Sequence, residues 1–198
     1  SERFKKLKPK IVGFQIFSYE FDSVVRSIEI LKKVCPETVV LIGGAHVSAT
    51  SMTVLDEMED ADFGFAGEGE IGLPMLAKRI LRDEMIPLEN IPGLIWRNGS
   101  SIRNNVRAGT EDLDSLGFQA WDLMQPVSYN GSPQGGFYKR FPIAPISTTR
   151  GCPYLCTFCG SGVNMGHKLR LRSMDHVLDE MVMLYNDYRV REFHIIDD

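Results

Sequence analysis

Residues 143–160 read Ile-Ala-Pro-Ile-Ser-Thr-Thr-Arg-Gly-Cys-Pro-Tyr-Leu-Cys-Thr-Phe-Cys-Gly. The first six residues predict a short strand, and the loop behind it holds three cysteines at the spacing C-x3-C-x2-C. Beyond the loop, Ser173 is the predicted N-cap of a helix over about 174–188, and residues 192–196 predict another strand. The order strand, cysteine loop, helix, strand is typical of the opening β-α-β unit of a parallel α/β domain.

The chain before this loop alternates short apolar strands with amphipathic helices. The predicted strands cover residues 11–17, 38–42 and 62–66, and the predicted helices cover about 21–34, 51–59 and 73–81. Such alternation favours a parallel sheet with helices on both faces. Asn98-Gly99 between two extended runs predicts a hairpin, and the Gly- and Pro-rich residues 106–145 predict a connector.

Composition narrows the functional classes. Hydrophobic residues make up 43% and charged residues 24% of the 198 residues, as in ordinary globular proteins. The net charge is −4 with acids and bases interspersed, so no basic face for nucleic acid is expected. No apolar run approaches the ~20 residues of a membrane span, and no secretory signal is visible, so a cytoplasmic location is predicted.

The clustered cysteines point to metal chemistry, because thiolates are soft ligands that suit iron–sulfur clusters and zinc. Three cysteines would leave one iron of a 4Fe-4S cluster open to another ligand, since a purely electron-transferring cluster takes four. The fourth, Cys35, precedes Pro36 at a predicted helix end and is interpreted as a small core residue. The alternatives are a zinc site of three cysteines and His167, which the spacing fits only loosely, and an inert loop.

The loop resembles the signature of radical S-adenosylmethionine (SAM) enzymes, with Arg150-Gly151 in front and Phe158 just before the last cysteine. That resemblance implies a 4Fe-4S cluster on Cys152, Cys156 and Cys159 whose open iron chelates SAM and cleaves it reductively. It also implies that Phe158 shields the cluster and that the backbone near Tyr154 and Phe158 approaches the adenine. A reductant such as flavodoxin or ferredoxin would supply the electron.

The upstream half resembles the cobalamin-binding domain that precedes many radical SAM cores, on the strength of the stretches 12–15, 41–46 and 62–70. Glycines at the carboxyl ends of parallel strands also let a ligand approach the backbone closely. By this resemblance, the cobalamin contacts would be Ser18, Gly43, Gly44, His46, Gly67 and Glu68. His46 could equally be a loop histidine bonded to nearby backbone, and Glu68 or Glu70 could instead complement the next helix N-terminus.

The resemblance implies a Rossmann-like (flavodoxin-like) cobalamin-binding domain over residues 1–90, incomplete at its N-terminus, a hairpin and connector over 91–142, and the truncated start of a partial TIM barrel over 143–198. The expectation is therefore a fragment of a longer enzyme, with little turnover of its own. The leading reaction is methyl transfer to an unactivated carbon, with cyclisation or rearrangement as other options. The substrate and catalytic residues stay unidentified.

Alternative functions stay open from the sequence alone. One is a non-catalytic iron–sulfur or cobalamin module for redox work or sensing, and another is a radical SAM enzyme that has lost cobalamin. Arg170 and Arg172 are expected to form salt bridges near the barrel floor, although SAM-carboxylate contacts are possible. Asp197-Asp198 would end a strand on the active-site side of the barrel.

Overall fold

The structure, a computed structural model, describes residues 2–129 and 137–197. The chain divides into two compact units. The first comprises Ser1–Gly109 and Leu155–Gly166, and the second comprises Thr110–Tyr154 and His167–Asp198. Residues 130–136 of the predicted connector, and Asp198, lie outside the described residues.

The first unit is built on a mixed sheet with the strand order β1-β2-β3-β4-β5. Strands β1 (Ile11–Gln15), β2 (Val39–Gly43) and β3 (Phe63–Phe65) run parallel. Strands β4 (Leu94–Asn98) and β5 (Ser101–Asn104) add an antiparallel hairpin to β3. The predicted hairpin is thus present, and its strands extend the sheet beside β3.

The turn of this hairpin differs by one residue from the Asn98-Gly99 turn that the sequence predicts. Asn98 pairs with Ser101, so the two loop residues are Gly99 and Ser100. Gly99 has a φ of 61°, and glycine at the first central position is the pattern of a type II′ turn. The prediction of the turn position was therefore wrong, because the requirement for a positive φ decides which residue leads the turn.

Helices cover both faces of the sheet, as the alternation predicts. They are α1 (Glu2–Leu7), α2 (Phe21–Val34), α3 (Ala45–Ala49), α4 (Val54–Glu57) and α5 (Gly72–Arg82). Successive side chains of β2 point to opposite faces of the sheet, so they pack in two separate hydrophobic clusters. Val40 and Ile42 pack in one cluster with Ile28 of α2, whereas Leu41 packs in the other with Leu76 of α5.

The helix predicted over 51–59 is wrong in its bounds, because α3 and α4 are separated by a turn. Within that turn, Ser51 Oγ accepts a hydrogen bond of 2.9 Å from the Asn104 side chain. The Arg97 guanidinium donates to the carbonyls of Leu55 and Ala61 at 2.5 and 2.6 Å. Arg97 of β4 therefore satisfies the Leu55 carbonyl, which a helix continuing to residue 59 would pair internally, whereas Asn104 of β5 bonds to a side chain of the turn.

The second unit contains β6 (Ile143–Ile146), β7 (Thr149–Arg150), β8 (Arg170–Leu171), α7 (Met174–Asp187) and β9 (Glu192–Ile195). Strands β6 and β9 pair in parallel across α7, which confirms the predicted β-α-β unit. Ser173 is the N-cap of α7, and its Oγ accepts a hydrogen bond of 3.1 Å from the backbone N–H of His176. Strands β7 and β8 pair antiparallel.

Short 3-10 helices complete the described elements, at Ser18–Glu20, Leu88–Asn90, Leu113–Leu116 and Pro126–Ser128. The short helix α6 (Ser161–Met165) follows the cysteine loop and belongs to the first unit. Across residues 2–129 and 137–197, no helix is both long enough and apolar enough to cross a bilayer.

Candidate cofactor-binding site

The ends of β1 and β2 are joined closely at the carboxyl edge of the parallel strands. The backbone N–H of Ile16 donates to Gly43 O at 2.8 Å, and the N–H of His46 donates to Ile16 O at 3.1 Å. Gly44 between them has a φ of 98°, and a Cβ there would stand 3.0 Å from both the N and the O of Ile16. Glycine is needed at position 44 because the chain's own backbone passes so close to it.

Ser18 and His46, both predicted at the cobalamin edge, are in direct contact. Ser18 Oγ and His46 Nδ1 are 3.0 Å apart. The ring of Phe21 packs against the imidazole at a centroid distance of 5.0 Å. His46 lies in α3, and its ring bonds to a side chain rather than to the nearby backbone that the alternative interpretation invoked.

The other ring nitrogen of His46 is left without a partner. Nε2 is buried and makes no hydrogen bond to the described residues. A buried polar atom without a partner costs about 1–3 kcal/mol. Such an orphaned nitrogen at the predicted ligand edge fits a site whose remaining hydrogen-bond partner is a bound molecule.

Gly67 lies after β3 and takes part in a hydrogen-bonded cluster that we call the Ser48 cluster. Its members are Ser48, Gly67, Arg107, Val163 and Asn164. Ser48 Oγ accepts from the Gly67 N–H at 2.9 Å and donates to Asn164 Oδ1 at 3.0 Å. Arg107 donates from Nη2 to Ser48 O at 2.7 Å and from Nη1 to Val163 O at 2.6 Å. The Ser48 cluster therefore ties the loop after β3 to α6, the helix that follows the cysteine loop.

Sequence reasoning missed Ser48, Arg107 and Asn164. Their hydrogen bonds span 59 and 116 residues, and no motif spacing links them. Glu68 is partly buried in the segment between β3 and α5. Glu70 is exposed in the same segment.

The three loop cysteines are free thiols, and the boundary between the compact units falls among them. Cys152 is partly buried in the second unit, whereas Cys156 and Cys159 are exposed in the first. The Cys159 N–H donates to Cys156 O at 3.1 Å, which closes a turn. No group of three His, Cys, Asp or Glu side chains in the described part of the chain is arranged around a metal position. The prediction that the three loop cysteines bind a cluster therefore rests on thiolate chemistry and on their spacing in the sequence.

The strand end ahead of Cys152 is anchored by Asp197. One carboxylate oxygen accepts from the backbone N–H groups of Thr148 and Thr149 at 2.6 and 2.9 Å, and the Thr148 hydroxyl donates to the other. Partial burial acts to raise the pKa of Asp197, but the hydrogen bonds from Thr148 and Thr149 outweigh it and hold that pKa below its usual value. Asp197 thus acts on the backbone that leads into the loop.

His167 also holds the start of the loop, since its Nδ1 lies 3.1 Å from the carbonyl oxygen of Cys152. Tyr154 and Phe158 lie on the same loop with exposed fractions of 74% and 92%. The Phe158 ring is thus open to solvent. Both aromatic side chains are accessible to a ligand.

The arginines of the second unit have structural partners. Arg172 Nη1 forms an ion pair of 2.7 Å with Glu180, whose other carboxylate oxygen accepts from Trp121 Nε1 at 2.8 Å. Arg170 is buried and donates to Thr110 O at 2.9 Å. The salt bridge expected for Arg172 is confirmed.

Cys35, the fourth cysteine, packs against the hydrophobic cluster around α2 and lies 3.6 Å from Phe4 O. It is only partly buried at the edge of that cluster, so the prediction of a buried core residue was wrong in its degree of burial.

No protein-family profile matches the chain. It is 29% identical over 219 residues to a cytidylyl-2-hydroxyethylphosphonate methyltransferase of Streptomyces wedmorensis, covering 98% of this chain and 40% of that protein. It is 27% identical over 200 residues to an anaerobic magnesium-protoporphyrin IX monomethyl ester cyclase of Cereibacter sphaeroides, covering 100% of this chain and 32% of that protein.

A solved structure shares the fold along the whole chain. It is the radical S-adenosylmethionine methyltransferase TsrM from Kitasatospora setae with cobalamin and a [4Fe-4S] cluster bound. The TM-score is 0.70 at 18% identity, covering 100% of this chain and 39% of that protein. The likeness confirms the predicted α/β fold class. The chain spans two fifths or less of the length of these relatives.

Proposed function

We propose that this chain is the cofactor-binding part of a radical SAM enzyme that uses a 4Fe-4S cluster and cobalamin. The observation that carries the proposal is the C-x3-C-x2-C loop of free thiols. In the chain, this loop lies between β6 and α7 of the parallel β-α-β unit. The names of the relatives, a methyltransferase and a cyclase, support an enzyme with this chemistry.

Cys152, Cys156 and Cys159 would hold the cluster. Three uncrosslinked thiols within eight residues match the donor set that iron–sulfur clusters prefer. When loaded, the cluster would supply the electron that cleaves SAM. The exposed Tyr154 and Phe158 would approach the adenine of SAM, and a flavodoxin or ferredoxin would deliver the electron.

The carboxyl edge of the first sheet would bind cobalamin. Ser18 orients the His46 ring through Nδ1, which leaves the buried Nε2 as a polar contact for the ligand. Gly43, Gly44 and Gly67 keep the strand ends free of side chains, and Glu68 follows Gly67 at the same edge. Ligands of open α/β sheets bind at this edge.

Methyl transfer to an unactivated carbon is the proposed reaction, with cyclisation or rearrangement as the second candidate. The methyltransferase relative favours the first, and the cyclase relative keeps the second in view. Both candidate reactions would use the same two cofactors, so cofactor binding does not distinguish them. Identification of the product would.

The test is anoxic reconstitution of the full-length protein with iron and sulfide, followed by SAM and a strong reductant. We expect a cluster absorbance and release of 5′-deoxyadenosine. Cys156→Ala should abolish both, because it removes a thiolate ligand. Cys35→Ala is the matched control and should retain both, because that partly buried thiol packs against the hydrophobic cluster around α2.

Two results would contradict the proposal. A cluster that forms but never yields 5′-deoxyadenosine would point to a non-catalytic redox or sensor module. Failure to retain hydroxocobalamin on gel filtration, followed by its visible spectrum, would remove cobalamin from the proposal.

A further inference from the structure

Arg107 forms a two-pronged bridge within the first unit. Its Nη1 donates to Val163 O and its Nη2 to Ser48 O, at 2.6 and 2.7 Å. Both acceptors are backbone carbonyls, one in α6 and the other in α3. A planar guanidinium can satisfy two such acceptors at once, whereas a lysine ammonium is a single point charge.

Ser48 connects this bridge to the predicted ligand edge. Its side chain is buried at 2% exposure, accepts from the Gly67 N–H and donates to Asn164. Gly67 has a φ of 79°, and a Cβ there would lie 3.3 Å from Arg107 Cδ. The conformation of the Gly67 loop and the docking of α6 therefore depend on the same few hydrogen bonds.

On its other side, α6 continues directly from the turn that carries two of the cysteines. The N–H groups of Val163 and Asn164 donate to Gly160 O at 3.1 and 3.2 Å, and Gly160 follows Cys159. Docking of α6 thus restrains the position of the Cys156–Cys159 turn relative to the Gly67 loop.

We propose that Arg107 is a positioning residue that couples cobalamin binding at the sheet edge to cluster assembly on the cysteine loop. The proposal rests on the proposed function and assigns a further role to a residue outside both cofactor sites. A cobalamin held at Gly43, Gly44 and Gly67 fixes the Gly67 loop, which favours the docked α6. Docked α6 restrains Cys156 and Cys159, which lowers the entropy cost of bringing them to one cluster.

Coupling of this kind is reciprocal, so an assembled cluster must tighten cobalamin binding by the same factor. Couplings between sites typically span about 5–150-fold. We expect the dissociation constant for hydroxocobalamin to be at least about 5-fold lower in cluster-loaded than in cluster-free full-length protein. The visible spectrum reports this binding without any turnover.

We define the coupling ratio as the dissociation constant for hydroxocobalamin of the cluster-free protein divided by that of the cluster-loaded protein. Arg107→Ala should reduce this ratio to about 1 while leaving the dissociation constant of the cluster-free protein within about 2-fold of wild type. A merely structural role would weaken binding equally in both states and leave the ratio unchanged. Arg103→Ala is the matched control, because Arg103 is an exposed arginine of β5 outside the Ser48 cluster. It should keep the wild-type ratio.

Two further variants keep the test decisive if Arg107→Ala fails to fold. Arg107→Lys retains the charge but loses the simultaneous bridge, so its ratio should fall below that of wild type. Asn164→Ala removes the acceptor of the Ser48 hydroxyl, leaves both Arg107 acceptors in place, and should also reduce the ratio.

The outcomes separate the two claims. If wild type binds no hydroxocobalamin in either state, the proposed cobalamin function is wrong and the coupling fails with it. If wild type binds it with the same dissociation constant in both states, or if the folded Arg107 variants keep the wild-type ratio, the coupling is overturned while the proposed function stands.

Discussion

Gly44, which follows the end of β2, should be far less replaceable than its neighbour Gly43, the last residue of that strand. Gly44 has φ 98° and ψ −172°, a region that is essentially restricted to glycine and costs other residues about 1–3 kcal/mol. An added Cβ would stand 3.0 Å from the backbone N and O of Ile16. Since these atoms belong to the chain itself, relief requires a backbone shift, which adds about 1 kcal/mol of angle strain.

Gly44→Ala and Gly43→Ala should therefore change the free energy of unfolding by amounts that differ in sign as well as size. Alanine lowers the entropy of the unfolded chain, which returns about 0.4–1 kcal/mol. The net expectation for Gly44→Ala is a loss of about 2–3 kcal/mol in the free energy of unfolding, combining the strain and entropy effects. At Gly43 an added Cβ meets only Phe65 O at 3.8 Å, an ordinary contact. Gly43→Ala should therefore be neutral or slightly stabilising.

Urea unfolding of the two variants and wild type, followed by far-ultraviolet circular dichroism, measures the difference. Linear extrapolation gives the free energy of unfolding for each. Equal effects at both positions, or a Gly44→Ala protein as stable as wild type, would refute the reasoning from backbone conformation and close approach.

Two other predictions concern the second unit. The pKa of Asp197 is lower in the folded protein than in the unfolded chain because Thr148 and Thr149 donate hydrogen bonds to its carboxylate. These hydrogen bonds therefore stabilise the folded protein at pH values above the unfolded pKa. The stabilisation is lost as the pH falls through the lower folded pKa. The stability gap between wild type and Asp197→Asn should accordingly shrink on acidification below about pH 4, and a gap that is constant with pH in chemical denaturation would contradict this. Glu180→Gln should cost about 3–5 kcal/mol because it leaves the Arg172 charge buried without its partner. The exposed Asp179→Asn is the control and should change stability by less than about 0.5 kcal/mol.

Local patterns were sufficient to predict most of the regular elements. Helix α2 begins at Phe21 and ends at Val34, as its apolar periodicity predicts, and Ser173 caps α7 as expected. The helix predicted over 51–59 is wrong in its bounds, because Arg97, far along the chain, donates to the Leu55 carbonyl and Asn104 bonds to the Ser51 side chain. Propensity within a short window carries no information about such partners.

The candidate site divides in the same way. Ser18 and His46 were each predicted from the strand ends that they follow, but their 3.0 Å contact and the orphaned Nε2 emerge only when β1 and β2 pair. Asp197 was expected at the active-site side of the second unit, and its bonds to Thr148 and Thr149 require β6 and β9 to lie side by side.

The sequence by itself determined the cysteine spacing, the glycines at the strand ends and the alternation of strands and helices, because these depend on residues close together in the chain. Only the tertiary structure decided that the hairpin extends the first sheet and that Arg107 joins α6 to α3. The physical reason is that both depend on contacts between distant segments, which form only after the hydrophobic faces of the helices and strands have packed.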